Sequence, residues 1–255
     1  TDTISWDIAR EDILRDENGR IKTRPGGHGA LILNLNNLQA DIVFVKNIDN
    51  VQIAHNAKRE LYWKKVLAGY ALDLKQQRDN ILLSIQQGEE LSEKQHEWLR
   101  NLDIDKNADL GKALDRPLRV CGMIRNSGDP GGGPFWTKTA LGHSRQIVEG
   151  PQIDIGNPDQ KKVLESATHF NPVDIVCVLK DFRGEAYDLL EFVDPNTSFI
   201  ADKFDDGRKV RALELPGLWN GAMAQWLTVF VEVPEFTFNP VKNVNDLLKP
   251  AHLGV

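Results

Sequence analysis

Between Arg24 and Leu31 the chain reads Arg-Pro-Gly-Gly-His-Gly-Ala-Leu, and shortly afterwards an apolar run from Asp41 to Lys46 ends in Asn47-Ile48-Asp49-Asn50. This pair of segments narrows the fold more than any other feature. A glycine-dense loop lets backbone N–H groups come close to a flat or anionic ligand, because no Cβ stands in the way. A strand that delivers one carboxylate at its C-terminal end is how open α/β sheets present ligand chemistry. The spacing predicts a short helix over Ala30–Leu38 and a buried strand over Asp41–Asn47. Together the two segments suggest a nucleotide or sugar-phosphate site.

The bulk composition removes several function classes. A net charge of −6 and a pI near 5.6 leave no basic face for generic nucleic-acid binding. No apolar stretch approaches the roughly 20 residues that span a bilayer, so no membrane role is expected. The residues Thr1 to Asp7 lack a basic region followed by an apolar one, so no signal peptide is visible. Cys121 and Cys177 sit in apolar runs without metal spacing and read as small buried hydrophobes of a reducing compartment. The expected location is cytoplasmic.

Along the chain, Asp16-Glu17-Asn18-Gly19 signals a turn. Lys58 to about Gln87 carries helical periodicity, with Val66, Leu67, Tyr70, Leu74, Ile81 and Ile85 near one face. Gly88 fits its stop, and Ser92-Glu93-Lys94-Gln95 resembles a capping box opening a second helix. Strands are expected over Arg119–Ile124, Val173–Leu179 and Thr228–Val233, a helix over Gly184–Phe192, and a short final helix from Asp246. The expected class is α/β: a mixed sheet flanked by helices, with an inserted helical hairpin at about 58–102. That hairpin carries no catalytic cluster and reads as packing or partner contact, including association between copies of the chain.

Each candidate site has two readings. Gly27, His28 and Gly29 either line a base or phosphate or form a tight turn. Asp49 either holds a divalent ion, with Asn47 and Asn50 orienting sugar hydroxyls, or closes a turn after a strand. Gly131-Gly132-Gly133 between two prolines either wraps a ligand, anchored by Phe135-Trp136, or makes a surface excursion; three successive glycines are costly to order, which favours the ligand. Lys242 either reaches a phosphate as a mobile charge or is one surface lysine among many. Asn220, in Trp219-Asn220-Gly221, is either a sugar-facing turn residue or part of a bend. The remaining histidines form no zinc or triad pattern.

In order, Pro25–Gly29, Asn47-Ile48-Asp49-Asn50, and Pro240-Val241-Lys242 with Asp246-Leu247-Leu248 resemble landmarks of the UDP-sugar pyrophosphorylases. That superfamily includes the UTP–glucose-1-phosphate and UDP-N-acetylhexosamine uridylyltransferases. The chain as a whole, with Arg24–Leu31, Pro130–Trp136 and Trp219–Met223, is similar to an uncharacterised bacterial family of domain-of-unknown-function type. The resemblance implies a glycosyltransferase-A-like nucleotidyltransferase fold, with residues 1–255 as the C-terminal part of such a domain. It implies transfer of a nucleotidyl group from a nucleoside triphosphate, UTP foremost, to a sugar 1-phosphate with release of pyrophosphate. Gly27, His28 and Gly29 would face the base, Asp49 the sugar phosphate and Mg²⁺, and Lys242 a phosphate. The glycine-rich segment that opens the pyrophosphorylases has no equivalent before Ser5-Trp6-Asp7, so these 255 residues alone are expected to bind without turnover. The alternative is a non-catalytic nucleotide or nucleotide-sugar binding module.

Overall fold

The computed structural model describes residues 2–54, 56–105, 107–126, 132–139 and 142–253. In chain order its strands and helices are β1 (Asp2–Asp7), β2 (Asp12–Ile13), β3 (Thr23–Pro25), α1 (Leu31–Asn36), β4 (Ile42–Lys46), α2 (Ala57–Gln86), α3 (Glu93–Asn101), α4 (Leu110–Leu114) and β5 (Leu118–Arg125). There follow β6 (Gly133–Thr139), β7 (Gly142–Val148), α5 (Pro158–Glu165), β8 (His169–Val178), β9 (Phe199–Asp205), β10 (Arg208–Glu214), β11 (Leu227–Glu232) and α6 (Pro250–Leu253). These elements form two compact units, Thr1–Leu38 with Asp188–Gln225, and Gln39–Tyr187 with Trp226–Val255.

The first unit is built on an antiparallel sheet in the order β2-β1-β10-β9, with β3 paired to the start of β1. The expected turn at Asp16–Gly19 closes with the Gly19 N–H donating to the Asp16 carbonyl at 3.1 Å. β9 and β10 are joined by Asp206-Gly207, both at positive φ, the two-residue geometry whose twist matches that of the flanking strands. Along β1 the usual alternation is inverted in character: Thr3, Ser5 and Asp7 are buried, while Ile4 and Trp6 are exposed.

The second unit has a central sheet ordered β11-β5-β8-β4, in which only β11 and β5 run parallel. Helix α2 lies along one face. Leu67, Ala71, Leu74 and Ile81 form its buried stripe, packed with Leu118, Val120, Val176, Val178 and Val229 of the sheet. Val66 and Tyr70, expected on that face, are instead partly exposed at its margin. Arg78 continues the stripe fully buried, because its donors are filled: Nη1 reaches the Arg116 carbonyl at 3.0 Å and Nη2 the Lys180 carbonyl at 2.9 Å. Ser92 and Gln95 form the expected capping box at the start of α3, which sends Trp98 and Leu99 into the same core. Cys121 and Cys177 are free and fully buried, and burial pushes the Cys121 thiol up to about 11.

Two expectations are corrected. The helical pair packs on the central sheet, as one of its two readings had it, and α2 supplies the layer that closes the central core. Strand β4 is an edge strand, half-exposed at Phe44 and bonded only to β8, and not a buried one. No helix spans Gly184–Phe192. The Asp181 carboxylate instead accepts the N–H groups of Arg183 and Glu185, both at 2.8 Å, which holds a tight turn, and only a 3-10 turn at Leu189–Phe192 remains. Among the described residues no helix is long and apolar enough to cross a membrane.

Truncating the α2 stripe should therefore cost far more than truncating its margin. Leu74→Ala is expected to lower stability by about 2–5 kcal/mol in urea unfolding followed by circular dichroism. Tyr70→Ala should stay within about 0.5 kcal/mol.

Candidate functional site

In the first unit the glycine loop leads into a 3-10 turn, His28–Ala30, and then α1. Gly27 sits at φ +73, and a Cβ there would overlap the Glu214 carboxylate. A Cβ on Gly29 would overlap the Pro216 carbonyl. Both glycines are thus required by packing against the segment that follows β10, anchored by the Leu215 N–H on the Gly26 carbonyl at 2.9 Å. The His28 ring stacks on Trp219, with centroids 4.4 Å apart and planes at 16°. Its Nδ1 accepts the Leu218 N–H at 3.0 Å, which puts the proton of the neutral ring on Nε2. Asn220 is buried two residues beyond, its N–H on the Gly217 carbonyl at 3.1 Å, heading the turn Gly221–Met223. The structure thus brings Gly27, His28, Gly29 and Asn220 into one neighbourhood of this unit.

In the second unit, β4 ends at Lys46 and the chain turns through Asn47–Asn50, with the Asn50 N–H on the Asn47 carbonyl at 3.2 Å. This turn is sewn to the segment after β11. The Val241 N–H donates to the Asp49 carbonyl at 2.8 Å, the Val51 N–H donates to the Asn239 carbonyl at 3.2 Å, and Asn50 bridges Pro240. Two motifs about 190 residues apart in sequence are therefore neighbours in space. Asn47 is half-buried at the head of the turn.

Asn50 departs from its expected role. It is 4% exposed, its Nδ2 donates to the Thr237 carbonyl at 3.0 Å and its Oδ1 accepts the Asn239 N–H at 2.9 Å. Its carboxamide holds two loops together and does not face outward to orient a sugar. Asp49 differs: its Oδ1 is buried and has no hydrogen-bond partner. Leaving a buried acceptor unmatched costs on the order of 1–3 kcal/mol, so such an oxygen calls for an explanation.

Beneath this turn runs a chain of charges. Lys46 pairs with Glu60, Glu60 also meets Lys64 at 3.3 Å, and Lys64 pairs with Asp174. Glu60 and Asp174 are buried, and burial pushes the Asp174 carboxyl up while the Lys64 ammonium opposes that shift. The two signs balance, so the turn rests on a neutral, fully paired base.

Lys242 is exposed, and its ammonium makes no ion pair among the described residues. Its backbone N–H is held by the Asp246 Oδ2 at 2.8 Å. Asp246 also receives the Asn243 N–H at 3.0 Å and the Lys249 ammonium at 2.8 Å. The ammonium and the two N–H groups hold its carboxyl down at about 2. The segment it caps, Val244–Leu248, is 3-10 where a helix from Asp246 was expected; α6 follows it.

Gly131 lies outside the described residues. Gly132 and Gly133 are buried at the entry to β6, where Gly133 pairs with Val148, so they begin a hairpin strand. Trp136, expected as an anchor, is 57% exposed. Among the described residues no three metal-ligating side chains cluster, so Asp49 stands as a single carboxylate.

A model of the DUF4301 family, described as a domain of unknown function, matches residues 1–253, and the chain belongs to that family. No curated protein matches it. Among solved structures it is similar to a mutant UDP-glucose pyrophosphorylase from Leishmania major in complex with UDP-Glc, at 16% identity and a TM-score of 0.48. That match covers 97% of this chain and 46% of the other. It is also similar to a uridine diphosphate N-acetylglucosamine pyrophosphorylase from Trypanosoma brucei in complex with inhibitor, at 14% identity, a TM-score of 0.43, and 95% and 43% coverage. The chain thus spans less than half the length of these proteins.

Two outcomes follow from the turn. Asn50→Ala should cost about 1–3 kcal/mol in thermal or urea unfolding, since it strands the Thr237 carbonyl and the Asn239 N–H. Asp246, whose carboxyl is lowered on folding, contributes stability that is present above its ordinary value of 3.8 and is lost as pH falls towards about 2. Carboxyl NMR titration should place its midpoint well below 3.8, and a midpoint at 3.8 would contradict the capping role.

Proposed function

We propose that the chain binds a nucleoside triphosphate or nucleotide sugar and serves as part of a sugar-1-phosphate nucleotidyltransferase. The observation that carries this reading is the juncture of the Asp49 turn with the Lys242 segment. One main-chain hydrogen bond separates a buried, unmatched carboxylate oxygen from the strand that leads into an exposed, unpaired lysine. A carboxylate and an ammonium held this way suit a phosphate accompanied by a divalent cation.

Mg²⁺ fits the donor set, because it is commonly held by one or two carboxylates, with phosphate oxygens and waters completing its shell. Asp49 is the residue that would hold it, and when bound the ion would neutralise phosphate charge. Lys242 would add a second positive charge on the phosphates. In the reaction an oxygen of the sugar 1-phosphate attacks the α-phosphorus, a new P–O bond forms, and pyrophosphate leaves. Such chemistry needs positioning and charge neutralisation more than a covalent nucleophile. The resemblance assigns Gly27, His28 and Gly29 to the base. There the stacked His28–Trp219 pair offers a flat surface, while the glycines serve the packing of the loop itself.

Calorimetric titration with UTP, UDP-glucose and UDP-N-acetylglucosamine, with and without Mg²⁺, tests the reading. Binding of at least one should strengthen with Mg²⁺. Asp49→Ala should remove that dependence, and Lys242→Ala should weaken binding about tenfold. Binding whose Mg²⁺ dependence survives Asp49→Ala overturns the role of Asp49, and absence of binding by all three overturns the function.

A further inference from the structure

A second site lies at the other end of the central sheet of the second unit. The strand register puts Lys46, Asp174 and Gly122 at one end, next to the Asp49 turn, and Ile42, Val178, Leu118 and Leu227 at the opposite end. Where β5 and β11 begin, a small, partly open pocket of about 50 Å³ lies over Leu118 and Leu227. A single water needs roughly 10–15 Å³ by this kind of measure, so the space suits a few non-hydrogen atoms. We propose that this pocket binds one small oxyanion, a phosphate or carboxylate group.

The lining sets several hydrogen-bond donors among apolar side chains. Arg116 contributes a guanidinium whose Nε is fixed on the Ala113 carbonyl at 2.8 Å. Burial lowers its pKa to about 10, which leaves it protonated at neutral pH in a place where a cation is poorly hydrated. Trp226 is 1% exposed, and its indole Nε1–H is buried without an acceptor. An indole nitrogen can only donate, so the group it lacks is an acceptor. Ser144 Oγ already accepts from Gln146 Nε2 at 2.9 Å, which leaves its own O–H to donate. Arg145 is held by Asp103 at 3.0 Å and lies over the Trp136 ring. That pair neutralises the one carboxylate of the lining, and His143 stands exposed beside it. Below, the buried Arg119 binds Thr228 Oγ1 at 2.9 Å and Gln146 Oε1 at 2.7 Å, adding a further fixed positive charge. A ligand oxygen would accept from the Trp226 Nε1–H and the Ser144 O–H, and the guanidinium charge beside them favours one that carries negative charge.

The site does not depend on the nucleotide reading, and its test is separable from it. The whole chain is titrated, in a buffer free of oxyanions and Mg²⁺, with inorganic phosphate and separately with acetate. The readouts are calorimetry and the NMR signal of the Trp226 indole proton, assigned through Trp226→Phe. One-site binding is expected, with that proton moving downfield as its hydrogen bond forms. Ser144→Ala, at a half-exposed position that folding should tolerate, should weaken binding about five- to tenfold, and Arg116→Gln should abolish it. Lys242→Ala and Asp49→Ala should leave it unchanged. Preference for acetate over phosphate assigns the pocket to a carboxylate, and the reverse assigns it to a phosphate. The proposal is overturned if neither anion binds at millimolar concentration. It is equally overturned if the Trp226 proton stays still on saturation, or if binding is lost in Lys242→Ala but kept in Ser144→Ala.

Discussion

Helix α2 can lie close on the central sheet because the contact is made of small and branched side chains that interlock. Ala71 is fully buried in the middle of the stripe, and Leu67 Cδ1 lies only 3.0 Å from where a Cβ on Gly122 would stand. A larger residue at either point would lift the helix from β5 and open the core that Val120, Val176 and Val229 share with it. Much else in the second unit hangs on this contact. The helix carries Glu60 and Lys64 to one end of the sheet and Arg78 to the other, so its register fixes the electrical character of both ends.

Those ends differ. At the Lys46 end, cations and carboxylates alternate and cancel, and Asp49 Oδ1 and Gln52 Oε1 are left unmatched. At the Leu118 end, Arg78 binds the Asp79 carboxylate and the Arg116 and Lys180 carbonyls, Arg116 Nε binds the Ala113 carbonyl, and Arg119 binds the neutral Thr228 and Gln146 side chains. Burying guanidinium groups is costly unless their donors are filled, which these partners help to do. The charge at each end of the sheet thus follows from where the helix and strands place these residues.

Much of this was legible in local sequence. The bounds of α2, its stop at Gly88, the capping box at Ser92 and the strands β5 and β11 each follow from a pattern within about ten residues. The β9–β10 hairpin had a local signal too, Asp206-Gly207 between strand-forming runs, yet charged residues along both strands mask their alternation. The missing helix at Gly184–Phe192 was decided by the Asp181 carboxylate capturing backbone N–H groups, a competition that helical propensity does not register. Roles that depend on distant partners could not be read. Asn50 looks like any turn asparagine until Thr237 and Asn239 meet it, and Arg116, Ser144 and Trp226 share no motif.

The two glycine runs show why residue type alone is a weak guide to ligand contact. Gly27 is accounted for by its positive φ beside Glu214 and Gly29 by the Pro216 carbonyl of the same unit, and Gly132 and Gly133 stand at the start of a hairpin. A glycine reports that something comes close, and the fold itself supplies that neighbour here. Asp49 carries a different kind of information. In a turn where the Asn50 carboxamide is matched and the carbonyls of Asn47 and Asp49 are both taken, one buried carboxylate oxygen is left over. Folding alone gains nothing from that arrangement, since an alanine at this position would avoid the desolvation cost. The oxygen is accounted for only if something positively charged or hydrogen-bearing meets it, a water included.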